Sequence, residues 1–210
     1  MRNEPRDKKD TSYHFNQSDF LYPLRRQSPL GQSMAAIRKP AAGELILDVC
    51  CGNGKITSRM ADAVTPSGKT IGVDTNRQAV AQAIASASDT TAFFVLADGR
   101  NLPFADIRFD KITISLGLHH MPPEDRRDTL IEIHRLLKPN GCLLVMEYNL
   151  PETILHGFLP KCLARIDSSR EAYRMLINSN CLTELQETGF RINRRDIIGC
   201  NSLQFTEAGI

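Results

Sequence analysis

The sequence predicts an α/β protein: a doubly wound, mostly parallel seven-stranded sheet with helices on both faces and an antiparallel hairpin at its C-terminal end. Three observations lead there. Short apolar runs alternate with stretches of helical periodicity from Glu44 to Tyr148, the first of those runs ends in a glycine turn, and the last two runs stand too close together for a crossover connection.

The first run is Leu45, Ile46, Leu47, Asp48 and Val49, followed by Cys50, Cys51, Gly52, Asn53 and Gly54. Lys55, Ile56, Met60 and Val64 then recur at roughly helical spacing, so the stretch reads as buried strand, tight turn and a helix to about Val64. Gly52 and Gly54 have no side chain to hold a ligand off the backbone, and a helix opening at Gly54 aims unpaired N–H groups into the same turn. This turn is the candidate ligand cradle. Pro66, Ser67 and Gly68 lead into a second strand, Lys69 to Val73, which ends in Asp74. In a βαβ unit an acid placed there, about 20 residues past the glycines, stands beside a bound ribose and accepts from its hydroxyls.

Ala79 to Ala87 is rich in alanine and reads as the second helix, and Ala92 to Leu96 as the third strand, ending in Ala97 and Asp98. After a loop from Gly99 to Arg108, Phe109 to Ser115 has the β-branched character of a fourth strand, and Gly117 to Pro123 is the loop at its end. Leu130, Ile133, Leu136 and Leu137 mark a helix over Glu124 to Leu137, stopped by Pro139 and Gly141 before a fifth strand, Cys142 to Tyr148. Ligands of such sheets lie outside the carboxyl ends of the strands. Those ends carry Asp48, Asp74, Asp98, Ser115 to His120, and Glu147 to Asn149.

Before and after this repeat the pattern changes. Residues 1 to about 12 are charged and lack apolar periodicity, which predicts a mobile or weakly docked segment; Tyr13 to Pro29 mixes aromatic and basic residues, as a flap over a pocket or a surface segment would; Pro29 to Ile37 reads as a short helix. The chain therefore divides into residues 1–28, an N-terminal extension or lid, and residues 29–210, one domain. Pro151 to Ser168 is mixed and helical in parts, and Glu171 to Gly189 holds one helix or two. Arg191 to Ile198 and Ser202 to Phe205, joined by Gly199, Cys200 and Asn201, form the closing hairpin.

Composition excludes more than it selects. With Lys and Arg at 26 against Asp and Glu at 24, and a net charge of +2, no basic stripe favours nucleic acid or a membrane surface. No run approaches the ~18 apolar residues of a spanning helix, and the N-terminus is polar, so a cytoplasmic protein without stable membrane insertion is expected. Cys50, Cys51, Cys142, Cys162, Cys181 and Cys200 show neither a CxxC pair nor zinc spacing, so no metal is expected and the thiols outside the turn read as small hydrophobes.

The ordered runs LILDVCCGNG, GKTIGVDTN, FFVLADGRNLPF, FDKITISLGLHHM and LLKPNGCLLVMEYNLP, over about residues 44 to 151, resemble the class I S-adenosylmethionine-dependent methyltransferases. Within that class DVCCGNG, LPF and FDKITISLGL look most like the C-methyltransferases of ubiquinone and menaquinone biosynthesis. The resemblance implies a Rossmann-like fold, S-adenosylmethionine as cofactor and S-adenosylhomocysteine as product. It also implies roles: Asp48 and the backbone of Cys50, Cys51, Gly52, Asn53 and Gly54 at the methionine end; Asp74 on the ribose hydroxyls with Thr75 and Asn76 close by; Asp98 on the adenine amino group beside Gly99; Ser115 and Leu116 along the same wall. Cys50 stands where many members carry glycine, and His119–His120 where the quinone enzymes carry Arg-Asn, a pairing common in other small-molecule methyltransferases.

Methyl transfer from a sulfonium is mostly a matter of alignment, but a carbon or phenol-oxygen nucleophile must also lose a proton. Histidine suits that task near neutral pH, so His119 and His120 are the candidate catalytic residues, with Tyr148 or Glu147 as a second candidate facing a small-molecule acceptor. Nucleic acid is not expected as partner; a homodimer is allowed. Two rivals are weighed. A nicotinamide oxidoreductase wants a third glycine at about Thr57, which is absent. A non-catalytic S-adenosylmethionine-binding protein, or a methyltransferase-like subunit needing a partner, would bind the cofactor without transferring its methyl group.

Overall fold

The computed structural model of the chain describes residues 40–87, 91–149, 181–198 and 203–210. The expected flap, the helix at Pro29 to Ile37 and the segment from Pro151 to Asn180 lie outside them. The strands are β1 (Leu45–Val49), β2 (Lys69–Asp74), β3 (Ala92–Leu96), β4 (Phe109–Ser115), β5 (Leu137–Tyr148), β6 (Arg191–Ile198) and β7 (Leu203–Gly209). The helices are α1 (Lys55–Val64), α2 (Arg77–Ser86), α3 (Pro123–Leu136) and α4 (Cys181–Glu187), with a 3-10 turn at Leu118–His120. No helix among the described residues is long and apolar enough to cross a membrane.

One seven-stranded sheet runs in the order β3-β2-β1-β4-β5-β7-β6. The first five strands are parallel, reversing direction of travel at β1, and β7 enters antiparallel between β5 and β6. The carboxyl ends of β3, β2, β1, β4 and β5 therefore lie side by side.

Two strand boundaries differ from the sequence reading by several residues. Pairing of β5 starts at Leu137, opposite Phe109, and resumes at Cys142 opposite Lys111, so Asp110 alone faces residues 138–141 across the sheet. Pro139 has no N–H to donate, and a side chain at Gly141 would meet Leu137 Cδ1 at 2.8 Å and the Asp110 carbonyl at 2.9 Å. These residues thus make a bulge rather than a turn. The last strand runs to Gly209, not Phe205, because it pairs with β5 as far as Ala208 and with β6 as far as Gly209.

Alternation along each strand sorts the faces. Leu47 and Val49 of β1, Ile112 and Ile114 of β4, and Leu143 and Val145 of β5 pack with Leu130, Ile133 and Leu136 of α3 and Leu185 of α4. The buried positions of α3 recur at three and four residues, the stripe of a surface helix, and each buried leucine contributes about 1.5–3 kcal/mol. Asp48 points the other way, toward α1. That polar residue on an inner face begins the site.

Candidate active site

The turn after β1 is built from left-handed residues: Cys50 (φ 59°), Gly52 (φ 54°) and Gly54 (φ 76°). Cys51 donates its N–H to the Val73 carbonyl (3.0 Å), tying the turn to β2, and Gly54 donates to the Cys51 carbonyl (3.0 Å). The side chain that Cys50 carries rests on the loop after β4, where a Cβ on Gly117 would lie 2.6 Å from Cys50 Cβ and 2.8 Å from its Sγ. Gly117 thus makes room for the thiol. Helix α1 begins at Gly54 with no side-chain cap, and Asn53 Oδ1 is buried there without a hydrogen-bond partner. Uncapped N–H groups and a spare amide suit the carboxylate and ammonium of an amino acid, so the turn fits the methionine end of the cofactor.

The three expected carboxylates stand in different environments. Asp48 is buried behind the turn, where Oδ2 accepts from the Thr57 hydroxyl (2.6 Å) and Oδ1 from the Thr113 hydroxyl (2.7 Å). It braces β1 against α1 and β4. Desolvation by burial, opposed by those two hydroxyls, raises its pKa from 3.8 to about 6. A carboxyl whose folded value is the higher one holds its proton more tightly in the fold, so its contribution to stability is greatest below pH ~4 and is lost as pH rises through about 6, a difference of roughly 3 kcal/mol. In urea titrations Asp48→Asn should therefore gain on the wild type between pH 4 and 6.5; a gap that stays constant over that range would show that Asp48 ionises normally.

Asp74 is the hinge between turn and second helix. Its Oδ2 accepts the Gly52 N–H and its Oδ1 the Asn76 N–H, both at 2.8 Å. Asn76 in turn caps α2, its Oδ1 accepting from the backbone of Gln78 (3.0 Å) and Ala79 (3.1 Å). Thr75 is exposed between them. Asp98, after β3, is held by Arg100, whose Nε lies 3.0 and 3.1 Å from its two oxygens and whose Nη1 reaches Asp125 at 2.6 Å. Gly99 is pressed against α3, where a Cβ would meet Thr129 Cγ2 at 3.1 Å.

At the next strand end Ser115 closes β4 and Leu116 takes φ 52°, its side chain packing against Cys142, Leu144, Met146 and Phe205. Leu116 thus leans toward β5 and β7. The 3-10 turn then brings the two histidines together with ring centroids 4.0 Å apart, and the His119 ring meets Tyr148 at 4.8 Å. His119 is buried and His120 half-buried. Glu147, the alternative second candidate, is buried at the end of β5: Oε2 lies 2.8 Å from His119 Nδ1, and Oε1 accepts the Leu118 N–H at 2.9 Å. Tyr148 is buried beside it.

Sequence reasoning missed Thr57, Thr113 and Arg100. Thr57 was visible only as an absent third glycine; the structure shows what takes that place, a hydroxyl bonded to Asp48. The His134 ring packs 5.3 Å from that of Phe190.

Residues 46–141 match the family described as a methyltransferase domain. The chain is 33% identical over 142 residues to a demethylmenaquinone methyltransferase of Lactobacillus johnsonii, covering 66% of this chain and 57% of that one, so it spans less than two thirds of that relative's length. It is 30% identical over 167 residues to an uncharacterized methyltransferase of Synechocystis, covering 79% of this chain and 76% of that one. In structure it is similar to a SAM-dependent methyltransferase from Aquifex aeolicus, with a TM-score of 0.65 at 17% identity over 92% of this chain and 89% of that one, a likeness of fold.

Proposed function

The chain belongs to the class I S-adenosylmethionine-dependent methyltransferases, and we propose that it methylates a small apolar or amphipathic molecule of the quinone or phenol kind. The observation that carries this reading is one of place: an uncapped helix start, the Asp74 carboxylate and a histidine pair meet at the ends of neighbouring strands. The similarity to a demethylmenaquinone methyltransferase supports the acceptor class.

When bound, the cofactor supplies a methyl group on an already activated sulfur. In this reading residues 29–210 make the transferase domain and 1–28 an extension of it. The backbone of Cys50 to Gly54 and the Asn53 amide hold the methionine end, and Asp48 steadies them from behind. Asp74 has lone pairs left over from its two backbone bonds and takes the ribose hydroxyls. Asp98 accepts from the adenine amino group, sharing its charge with Arg100; Thr75, Asn76, Gly99, Ser115 and Leu116 shape the wall. His119 and His120 serve the acceptor side, where a proton must leave.

The test has two stages. Calorimetry with S-adenosylhomocysteine should show binding, and labelled S-adenosylmethionine should then pass its methyl group to a panel of hydroxylated naphthoquinols, benzoquinols and phenols. Binding without transfer to any of them would favour the non-catalytic subunit instead. Replacing His119 or His120 with alanine should lower turnover about a hundredfold or more for the one that acts as base, with cofactor affinity little changed. Unchanged turnover in both variants removes them from the mechanism.

A further inference from the structure

We propose that Glu147 is a positioning residue: it sets which nitrogen of His119 carries the proton and holds the turn on which both histidines ride. This rests on the reading of His119 as the acceptor-side base.

Both side chains are almost completely buried, at 2% exposure for His119 and 1% for Glu147. An ionised carboxylate only accepts hydrogen bonds, so the ring nitrogen 2.8 Å from Glu147 Oε2, Nδ1, carries the hydrogen and Nε2 the lone pair of the neutral ring. The other oxygen grips the Leu118 N–H, so one side chain fixes both the ring and the backbone that presents it. His120 at 4.0 Å and Tyr148 at 4.8 Å flank the ring and deny it rotation.

The position of Glu147 on its strand sharpens the point. It shares a face with Leu143 and Val145, both in the core, where the pleat would otherwise place an apolar residue. A buried carboxylate there is costly unless it is hydrogen-bonded to a partner that uses its charge. His119 is such a partner, since Glu147 also offsets the charge of an imidazolium.

The step is a proton transfer. An acceptor O–H or C–H bond gives its proton to Nε2, its electron pair stays on the acceptor atom, and the imidazolium holds that proton on Nε2 while its Nδ1 hydrogen stays on Glu147. Around the couple stand His120 of the same turn, Tyr148 of β5, the Cys50 and Cys181 thiols, and the Arg126–Glu184 ion pair at 2.6 Å, with Arg195 of β6 close enough to act on Cys181. Burial first, and nearby carboxylates including Glu147 second, keep both thiols protonated, so neither competes as the base.

Glu147→Gln tests this directly in the full chain. A glutamine can still accept from Leu118, but it then turns its NH2 group toward His119 and reverses the tautomer. Side-chain nitrogen NMR of the neutral ring should show hydrogen on Nδ1 in the wild type and on Nε2 in Glu147→Gln. With an acceptor in hand, turnover should fall about a hundredfold or more and the pH profile of kcat should move, while the affinity for S-adenosylhomocysteine stays within about threefold. Glu147→Asp, which keeps the charge, should restore the wild-type tautomer and part of the turnover, and it serves if the glutamine variant does not fold. The same tautomer in Glu147→Gln and wild type, or unchanged turnover in a folded Glu147→Gln, overturns the assignment. Failure of the broader reading looks different: the tautomer still reverses, but no acceptor is methylated.

Discussion

Gly54→Ala should destabilise the fold by about 3 kcal/mol and take S-adenosylhomocysteine binding below detection. Gly54 sits at φ 76°, where an L side chain costs about 1–2 kcal/mol. A Cβ there would also lie 2.5 Å from the Phe94 ring and 2.8 Å from Ala83 Cβ, and such overpacking adds about 1–3 kcal/mol. Phe94 on β3 can swing aside, but the Ala83 methyl on α2 moves only with its helix. The relief must come from the backbone of the turn, which is the part that would touch the ligand. Urea denaturation and calorimetry on one preparation decide it: stability within ~0.5 kcal/mol of wild type together with normal affinity would show that the turn tolerates a side chain and is no cradle.

Asp74→Ala should weaken S-adenosylhomocysteine about a hundredfold or more. The carboxylate holds the Gly52 and Asn76 N–H groups at 2.8 Å each, and hydrogen bonds to a charged group contribute about 1.5–3 kcal/mol apiece. Removing it loosens the glycine turn and the start of α2 at once, and takes away the acceptor for the ribose. Asp74→Asn, with one acceptor oxygen left, should fall between. Asp98→Ala should cost less, about tenfold, because that side chain is 43% exposed and its charge is already shared with an exposed arginine. Equal losses at positions 74 and 98 would mean that Asp74 acts only on the ligand and not on the turn.

Much of this site was legible in residue order. The glycines of the turn, an acid at the end of each of the first three strands, and histidines after the fourth are local signals, because a strand end and the residues just past it are fixed by hydrophobic alternation and turn chemistry. Glu147 was legible as a polar residue at a strand end but not in its role. Its partner sits 28 positions earlier, and only pairing of β4 with β5 brings them to 2.8 Å. The same is true of Thr57 and Thr113, ordinary residues of a helix and a strand until the sheet sets them on either side of Asp48.

The strand that closes the sheet shows the limit most clearly. A short link between Ile198 and Leu203 requires the last two strands to be antiparallel, and that much follows from chain length alone. Which of them lies against β5 does not, since either order satisfies the link. Packing decides it: β7, buried from Leu203 to Gly209 except for half-buried Glu207, lies between two neighbours, while β6, with Arg191, Asn193, Arg194 and Arg195 exposed, takes the edge, where charge is cheap and discourages further pairing. Local order thus determined the elements and the chemistry at their tips, through interactions a few residues long. The fold alone decided which tips share a proton or a carboxylate, because burial and hydrogen bonding between distant segments exist only once the sheet is assembled.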